Sequence, residues 1–466
     1  MRTKMKSTTV EEILANYLYD LSIDDLPDDV VDIAAISVVD AIGCAFTGNK
    51  LPSSQIAFKV WEQTRGAGET TLWINGERGN EESTAWANCL MVHSILHDDT
   101  LESTVGHMGS IIIPTAYAVA EERGISGKDF LTAIVAAYEV AGKLSMNTGD
   151  AIVSRGFRGS PIFGTFAATT AMGKLLKLSK DELRSAIALA GNFSCGLLQA
   201  SHKGSLEWRF QNGAALKNGM MAARLAKNGL SAAEESLEGK YGFYTVFGGP
   251  DLNKNVLSRR GALRESLGTD FEIRKNFYKP YPTCGYNQAG VEIALALVRK
   301  HNINPEEIEK IDVVVSPENE QYPGGSYKGP YNTIDQALLS KPFSIANAVK
   351  YRTMTVDRYL SDMNEPKLIE LVNKVNASAK NGMDYLDAEI ELTMKSGEIL
   401  KGNGNLVDKR NYFLDKKHAE EKFCYLTANT MGKKEALSIV ASIYDLPKRK
   451  SINYISDTIK GAVGHK

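Results

Sequence analysis

The stretch Phe271–Gly290, FEIRKNFYKPYPTCGYNQAG, separates two textures of sequence. It is aromatic, rich in turn residues and interrupted by Pro280 and Pro282. Before it, apolar residues recur at helical spacing. DVVDIAAISVVDAIGCAFTG (29–48) ends in glycine, as a helix does. SGKDFLTAIVAAYEVAGKL opens on Ser126 as a helix cap. SPIFGTFAATTAMGKLLKL, SKDELRSAIALAGNFSCGLL and AALKNGMMAARLAKNGL continue the pattern. Their many Ala and Gly residues let helix axes approach closely. After the break, the helix AGVEIALALVRKH leads into IEKIDVVVSPENE, a Val- and Ile-rich strand candidate. DAEIELTMKSGEILKGN alternates apolar and polar residues around KSGE and reads as a hairpin. KKEALSIVASIYDLP is helical again. The expected fold is mainly α. A large all-helical domain, 1–266 plus 404–466, is discontinuous, and a smaller α+β domain, 267–403, is inserted in it.

Composition narrows the function classes. The chain has 466 residues, 43% apolar and 24% charged, enough to bury a large core. A net charge of −2 gives no electrostatic reason to expect nucleic acid or an anionic membrane as partner. The five cysteines are dispersed without metal-ligand spacing, which suits a reducing compartment. MRTKMKSTTVEEILANYL has no apolar leader pattern, and no uninterrupted apolar run reaches the roughly 18 residues of a membrane span. A cytoplasmic protein without membrane contact is expected.

Chemistry concentrates in SILHDDTLESTVGH, residues 94–107. If WANCLMVHSILHDD runs as one helix into Asp98, then His93 and His97 share a face. MGSIIIPTAYAVAEERG starts the next helix near Gly109, so His107 precedes a helix N-terminus, a place that holds anions. Three readings stand. Asp98 and Asp99 terminate a helix, with Thr100 and Ser103 as caps. Or His93, His97 and an aspartate bind a metal, though no general-base Glu lies between the histidines. Or the segment is an acid/base site for a small anionic substrate.

At these residues the chain resembles the MmgE/PrpD family. VVDAIGCAFTG is similar to the family's LLDTLGCALAG-type helix. HSILHDDTLESTVGHMGSIIIPTAYAVAE resembles its H-A-L-D-x-D-D-T…H-P-G-S…I-P-A segment. SRGFRGSPIFGTFAATTAMGKLLKL, GSLEWRFQNGAALKNGMMAARLAKNGL and KPYPTCGYNQAGVEIALAL resemble the family's RGFHPTG, TKPLH and KPYPCCRYTH segments in the same order. The resemblance implies a helical domain with an inserted lid-like α+β domain and a homodimer. It also implies cofactor-independent removal of a proton α to a carboxylate, with no metal.

The resemblance also marks departures. Thr100 and His107 fall on the family's Thr and His. Its site Asp falls on Leu96, the imidazole of RGFHPTG on Arg158, the Lys of TKPLH on Trp208 and the next His on Gln211. The lid histidine falls on Gln288, and the Tyr after FSLP on Asn347. Leu96 exchanges no proton. Arg158 stays charged near neutral pH and suits a carboxylate clamp. His107 is expected as the acid/base group, oriented or assisted by Asp98 or Asp99, with Tyr286 as a further proton donor. Thr100, Arg158, Arg209, Gln211, Trp208 and Cys284 are expected to bind substrate, whereas His202 and Lys203 read as solvated loop residues, with replacement of the displaced Lys as the alternative. The expected activity is that of a cofactor-independent lyase, of dehydratase or hydratase type, on a small di- or tricarboxylate. An isomerase or epimerase of a related polycarboxylate, and a carboxylate-binding relative without turnover, are the alternatives.

Overall fold

The computed structural model describes residues 8–361, 363–384, 386–408, 410 and 412–464. The fold is mainly α. Between residues 9 and 265 the described strands are three two-residue pieces, Thr70–Thr71, Arg78–Gly79 and Thr100–Leu101. The other regular elements there are helices. Their ends follow local chemistry. Ser126 accepts from the Asp129 N–H at 3.1 Å and starts Gly127–Ser145. Ser179 and Glu182 form a reciprocal capping box at Lys180–Phe193.

Asp28–Gly48 is the central helix. Asp28 and Asp29 occupy its first turn, where the helix dipole favours negative charge. By length and composition it is apolar enough to cross a membrane, yet most of it is buried in the core. Lys416–Thr427 packs on it at Gly43, where a Cβ would meet Phe423 and Leu426 side chains at 3.1 Å each. The C-terminal segment therefore closes the same core that the N-terminal helices build.

Downstream, a four-stranded sheet runs Val375–Ala379, Ile308–Val315, Glu389–Met394, Ile399–Gly402 in spatial order. The first pair is parallel and the others antiparallel. Ile308, Ile311, Val313 and Val315 are buried from one face of the central strand. They join a second apolar cluster with residues of the helices Gln288–Lys300 and Lys341–Tyr351. The Ile308–Val315 strand and the hairpin are those the alternation indicates. The parallel Val375–Ala379 strand carries no such pattern.

The two cores change over inside the opening stretch. Phe271, Ile273 and Tyr278 pack with the helical core. Tyr281 and Cys284 pack with the second. Asn276–Phe277 pairs antiparallel with Thr100–Leu101. This short ladder brings KPYP beside the residue 94–107 loop, although the two are far apart in sequence.

Candidate active site

Helix Glu81–His93 stops at His93, short of the expected run into Asp98. The Ser94 hydroxyl bonds back to the Leu90 carbonyl at 2.6 Å, and Leu96 takes a left-handed turn at φ 51°. His93 and His97 therefore share no helix face. His97 lies behind the loop, where Phe46, Thr47 and Thr430 help line a cavity of about 260 Å³. The alternative that set His93 and His97 on one helix face as a metal pair therefore has no geometric basis.

Asp99 receives the N-terminus of helix Gly109–Glu122. Its Oδ1 and Oδ2 accept from the Gly109 N–H at 3.0 and 3.1 Å, and Oδ2 accepts from the Tyr138 hydroxyl at 2.5 Å. A Cβ at Gly109 would meet that carboxylate at 2.7–2.8 Å, which is why glycine stands there. Burial raises the Asp99 carboxyl to about 7. The helix N-terminus expected to hold a substrate anion thus holds Asp99 instead. That corrects the assignment of Asp99 to proton transfer.

Asp98 points the other way. Its Oδ2 accepts from His93 Nδ1 at 2.7 Å. Arg158 Nη2 donates to His93 Nε2 at 2.7 Å. A guanidinium is a donor only, so His93 is neutral with its proton on Nδ1. Burial, with Arg158 next, pushes the His93 pKa well down. Asp98 Oδ1 is buried without a hydrogen-bond partner, 3.8 Å from His107 Nδ1 and 3.6 Å from Lys279 Nζ.

His107 is the group at the opening, with 14% of its side chain exposed. Its backbone is held by Ser160, whose Oγ accepts the N–H at 3.0 Å, and by Ser110, which donates to its carbonyl at 2.8 Å. Nδ1 lies 2.8 Å from the Asp99 carbonyl oxygen, which only accepts, so Nδ1 carries the proton. Thr100 Oγ1 lies 3.4 Å from the same nitrogen. Among the described residues Nε2 makes no hydrogen bond, and it carries the free lone pair. Burial, then Lys279, holds the imidazole well below 6.5 and therefore neutral. Lys279 Nζ sits 3.2 Å from His107 Nδ1, and burial lowers its own pKa. The sequence reading passed over Lys279. Its only signal there was a lysine set among aromatics and prolines.

Arg158 is buried, with Nη1 on the Trp208 carbonyl at 2.7 Å and on Asn212 Oδ1 at 2.9 Å. Burial lowers it to about 10, so it stays charged. Among the described residues no carboxylate lies within 4.0 Å of it. Its bonds to Trp208, Asn212 and His93 use three of its five N–H groups. Asn212, one residue beyond the expected Gln211, is the helix position that reaches Arg158. Gln211 instead donates to the Leu197 carbonyl at 3.0 Å.

Trp208 lies between Arg158 and Arg209, 5.0 and 4.2 Å from its ring centroid, and its edge meets His93. Its Nε1 donates to Asp335 Oδ1 at 2.7 Å. The same oxygen pairs with Arg209 Nη1, and Arg209 Nε donates to the Ser94 carbonyl at 2.9 Å. Arg209 is thereby neutralised across the two cores, which corrects its expected role as a carboxylate binder. Cys284 is buried and its thiol pushed up by burial. Tyr286 meets Tyr322 with the rings tilted at 46° and centroids 4.9 Å apart, and burial raises its phenol far above a working proton donor. Gln288 clamps the turn, accepting from the Tyr281 N–H and donating to the Tyr281 and Thr283 carbonyls. Asn347 is buried with both amide atoms unpartnered. His202 and Lys203 are exposed at the end of helix Gln199–Lys203.

His93, Asp98 and His107 place ligand atoms within 4.8 Å of one another. The donor set is poor for a cation. His93 has both nitrogens engaged, and Lys279 and Arg158 add positive charge at the same place. Turnover should survive prolonged chelation. Stoichiometric metal in the purified protein, with activity lost on its removal, would contradict this.

Two family models match the chain, the MmgE/PrpD N-terminal domain over residues 12–255 and the C-terminal domain over 281–446. The chain is 30% identical over 243 residues to cis-aconitate decarboxylase-like protein oryM of Aspergillus oryzae, covering 50% of each chain. It is 26% identical over 302 residues to cis-aconitate decarboxylase of Aspergillus terreus, covering 64% of this chain and 61% of that one. It is 23% identical over 475 residues to cis-aconitate decarboxylase of Homo sapiens, covering 98% and 96%. The chain thus spans 50% and 61% of the two Aspergillus proteins' lengths.

Proposed function

The chain belongs to the MmgE/PrpD family, and from that footing we propose that it is a lyase acting on a small tricarboxylate by removal of a proton α to a carboxylate. One observation carries the reading: a neutral His107 with an open Nε2 stands beside a buried ammonium, near a buried guanidinium with no carboxylate within 4.0 Å among the described residues. A base must be unprotonated and a leaving hydroxyl needs an acid. The pair His107 and Lys279 supplies both.

In the proposed reaction Arg158 anchors one carboxylate through its remaining N–H groups. His107 Nε2 takes the proton from the carbon next to a carboxylate. Cationic neighbours steady the charge that develops on that carboxylate. Asp98 Oδ1, 3.8 Å from the ring, offsets the new imidazolium. The C–H electron pair becomes the double bond as the C–O bond breaks, and Lys279 protonates the departing hydroxide to water. Epimerisation needs proton-transfer groups on both faces of the carbon. Cys284 and Tyr286, expected opposite, both have raised pKa values, which favours the lyase.

A second reading, loss of carbon dioxide from a cis-aconitate-like substrate, is favoured by the activity named for the relatives. Proton NMR in deuterium oxide with citrate, 2-methylcitrate and cis-aconitate separates them. A new alkene signal from a hydroxy acid supports dehydration, and carbon dioxide release supports decarboxylation. Exchange without net change, or no reaction with any of the three, overturns the lyase reading.

Arg158→Lys keeps the charge and loses the two-bond edge. KM should rise about 10-fold or more while kcat stays measurable, the pattern of lost binding. An unchanged KM would remove Arg158 as the anchor.

A further inference from the structure

Asp40 lies in the middle of the apolar run VVDAIGCAFTG, with Val39 and Ala41 buried on either side of it. A carboxylate there is desolvated, and its side chain is 2% exposed. Lys422, from helix Lys416–Thr427, meets it with Nζ 2.5 Å from Oδ1. The same Nζ donates to the His97 carbonyl at 2.9 Å. Burial works against the ammonium, but Asp40 beside it more than offsets this and raises its pKa, so Lys422 is charged. A buried ion pair stabilises a fold little more than two apolar side chains of its size. What this pair adds is a charged donor for a backbone carbonyl.

That carbonyl belongs to the loop that carries Asp98. Residues 94–99 form no helix or strand, so their backbone is held from outside. The Ser94 carbonyl accepts from Arg209, which Asp335 pairs from the second core. The His97 carbonyl accepts from Lys422, which Asp40 pairs from the central helix. Two buried ion pairs thus hold the loop at two points. Beyond Asp98, the Asp99 side chain is fixed by Gly109 and Tyr138. Fixing the His97 carbonyl fixes the planar peptide that leads into Asp98, and with it the direction of the Asp98 side chain.

We propose that Lys422 is a positioning residue, which holds the His97–Asp98 peptide so that Asp98 Oδ1 stays within reach of the imidazolium formed on His107. The role rests on the lyase reading above and adds to it the device that aims Asp98. Asp98 Oδ1 and His107 Nδ1 are 3.8 Å apart, and the two groups attract as ions only once His107 has taken the proton. Losing the anchor should therefore lower kcat and leave KM nearly unchanged.

Lys422→Met alone would leave Asp40 buried and unpaired, so the full chain is tested with Asp40→Leu and Lys422→Met together. The urea midpoint of this double variant should stay near that of the wild type. Its kcat should fall about 10-fold, the scale of one hydrogen bond from a charged group, with KM within about 3-fold. By proton NMR the His93 Nδ1–H, bonded to Asp98 in the wild type, should exchange with solvent about 10-fold faster. Asp40→Asn keeps Lys422 on the His97 carbonyl and should keep kcat within about 3-fold of the wild type. If the apolar pair does not fold, Asp40→Asn with Lys422→Met takes its place. A folded double variant with wild-type kcat, or one whose KM rises as much as its kcat falls, overturns the role of Lys422 and leaves the lyase reading in place. So does an Asp40→Asn variant that loses as much kcat as the double variant. A wild type that turns over none of citrate, 2-methylcitrate and cis-aconitate overturns the lyase reading, and the exchange rate then decides by itself whether Lys422 places Asp98.

Discussion

His107→Asn should lower turnover by about 10²-fold or more while leaving the fold intact, the usual scale for a lost acid/base group. The asparagine amide overlays the Nδ1 half of the ring. It keeps a donor for the Asp99 carbonyl, which His107 Nδ1 meets at 2.8 Å, and removes Nε2. The variant thus separates the structural bond from the chemical one. His107→Gln, whose amide overlays Nε2, loses the bond to Asp99 and provides no base. The pH profile gives a second readout. The base works only when neutral, and burial with Lys279 sets its pKa well below 6.5. Wild-type kcat/KM should hold as pH falls past 6.5 and decline only well below it. That limb should vanish in His107→Asn. Near-wild-type turnover in a folded variant removes His107 from the mechanism.

Asp335→Ala should cost about 3–5 kcal/mol of stability, the scale for leaving a buried charge without its partner. Asp335 lies in the second core, where its Oδ1 accepts from Trp208 Nε1 and pairs with Arg209, both fully buried. Removal leaves a guanidinium in low dielectric and an indole N–H without an acceptor. Replacing both charges, Arg209→Met with Asp335→Leu, should recover most of the loss, because the cost lies in the unpaired charge. Urea titration of the three variants measures this directly. A loss under about 1 kcal/mol for Asp335→Ala would mean that Arg209 finds solvent or another partner. The same latch holds Trp208 against His93 and Arg158, so the single variant should also lose substrate affinity.

How far the site was legible depends on how local its causes are. His107 was readable because its chemistry and its place before an apolar run are both local. Asp99 was misjudged because its partners, Gly109 and Tyr138, are set by a turn and by a third helix. Asn212 was not considered beside Gln211, and a helix turns by about 100° per residue, so neighbouring positions face different partners. Arg209 was read as a carboxylate binder, and its partner Asp335 was not foreseen because it is distant in sequence. The alternative of His93 and His97 as a metal pair arose because the helix was expected to continue. Leu96 breaks it with a left-handed turn that no Gly or Pro announces.

The sequence by itself determined that the chain is mainly helical, that the texture changes at Phe271–Gly290, that a strand and a hairpin follow, and that the chain is of MmgE/PrpD type. These are periodicities and short motifs, which neighbouring residues fix among themselves. Only the tertiary structure decided which ionisable groups meet. The pairing of Thr100–Leu101 with Asn276–Phe277 draws Lys279 to His107 and Asp98. The crossing between cores pairs Arg209 with Asp335. Burial then sets the protonation states, because the cost of desolvating a charge depends on everything packed around it and not on its neighbours in sequence.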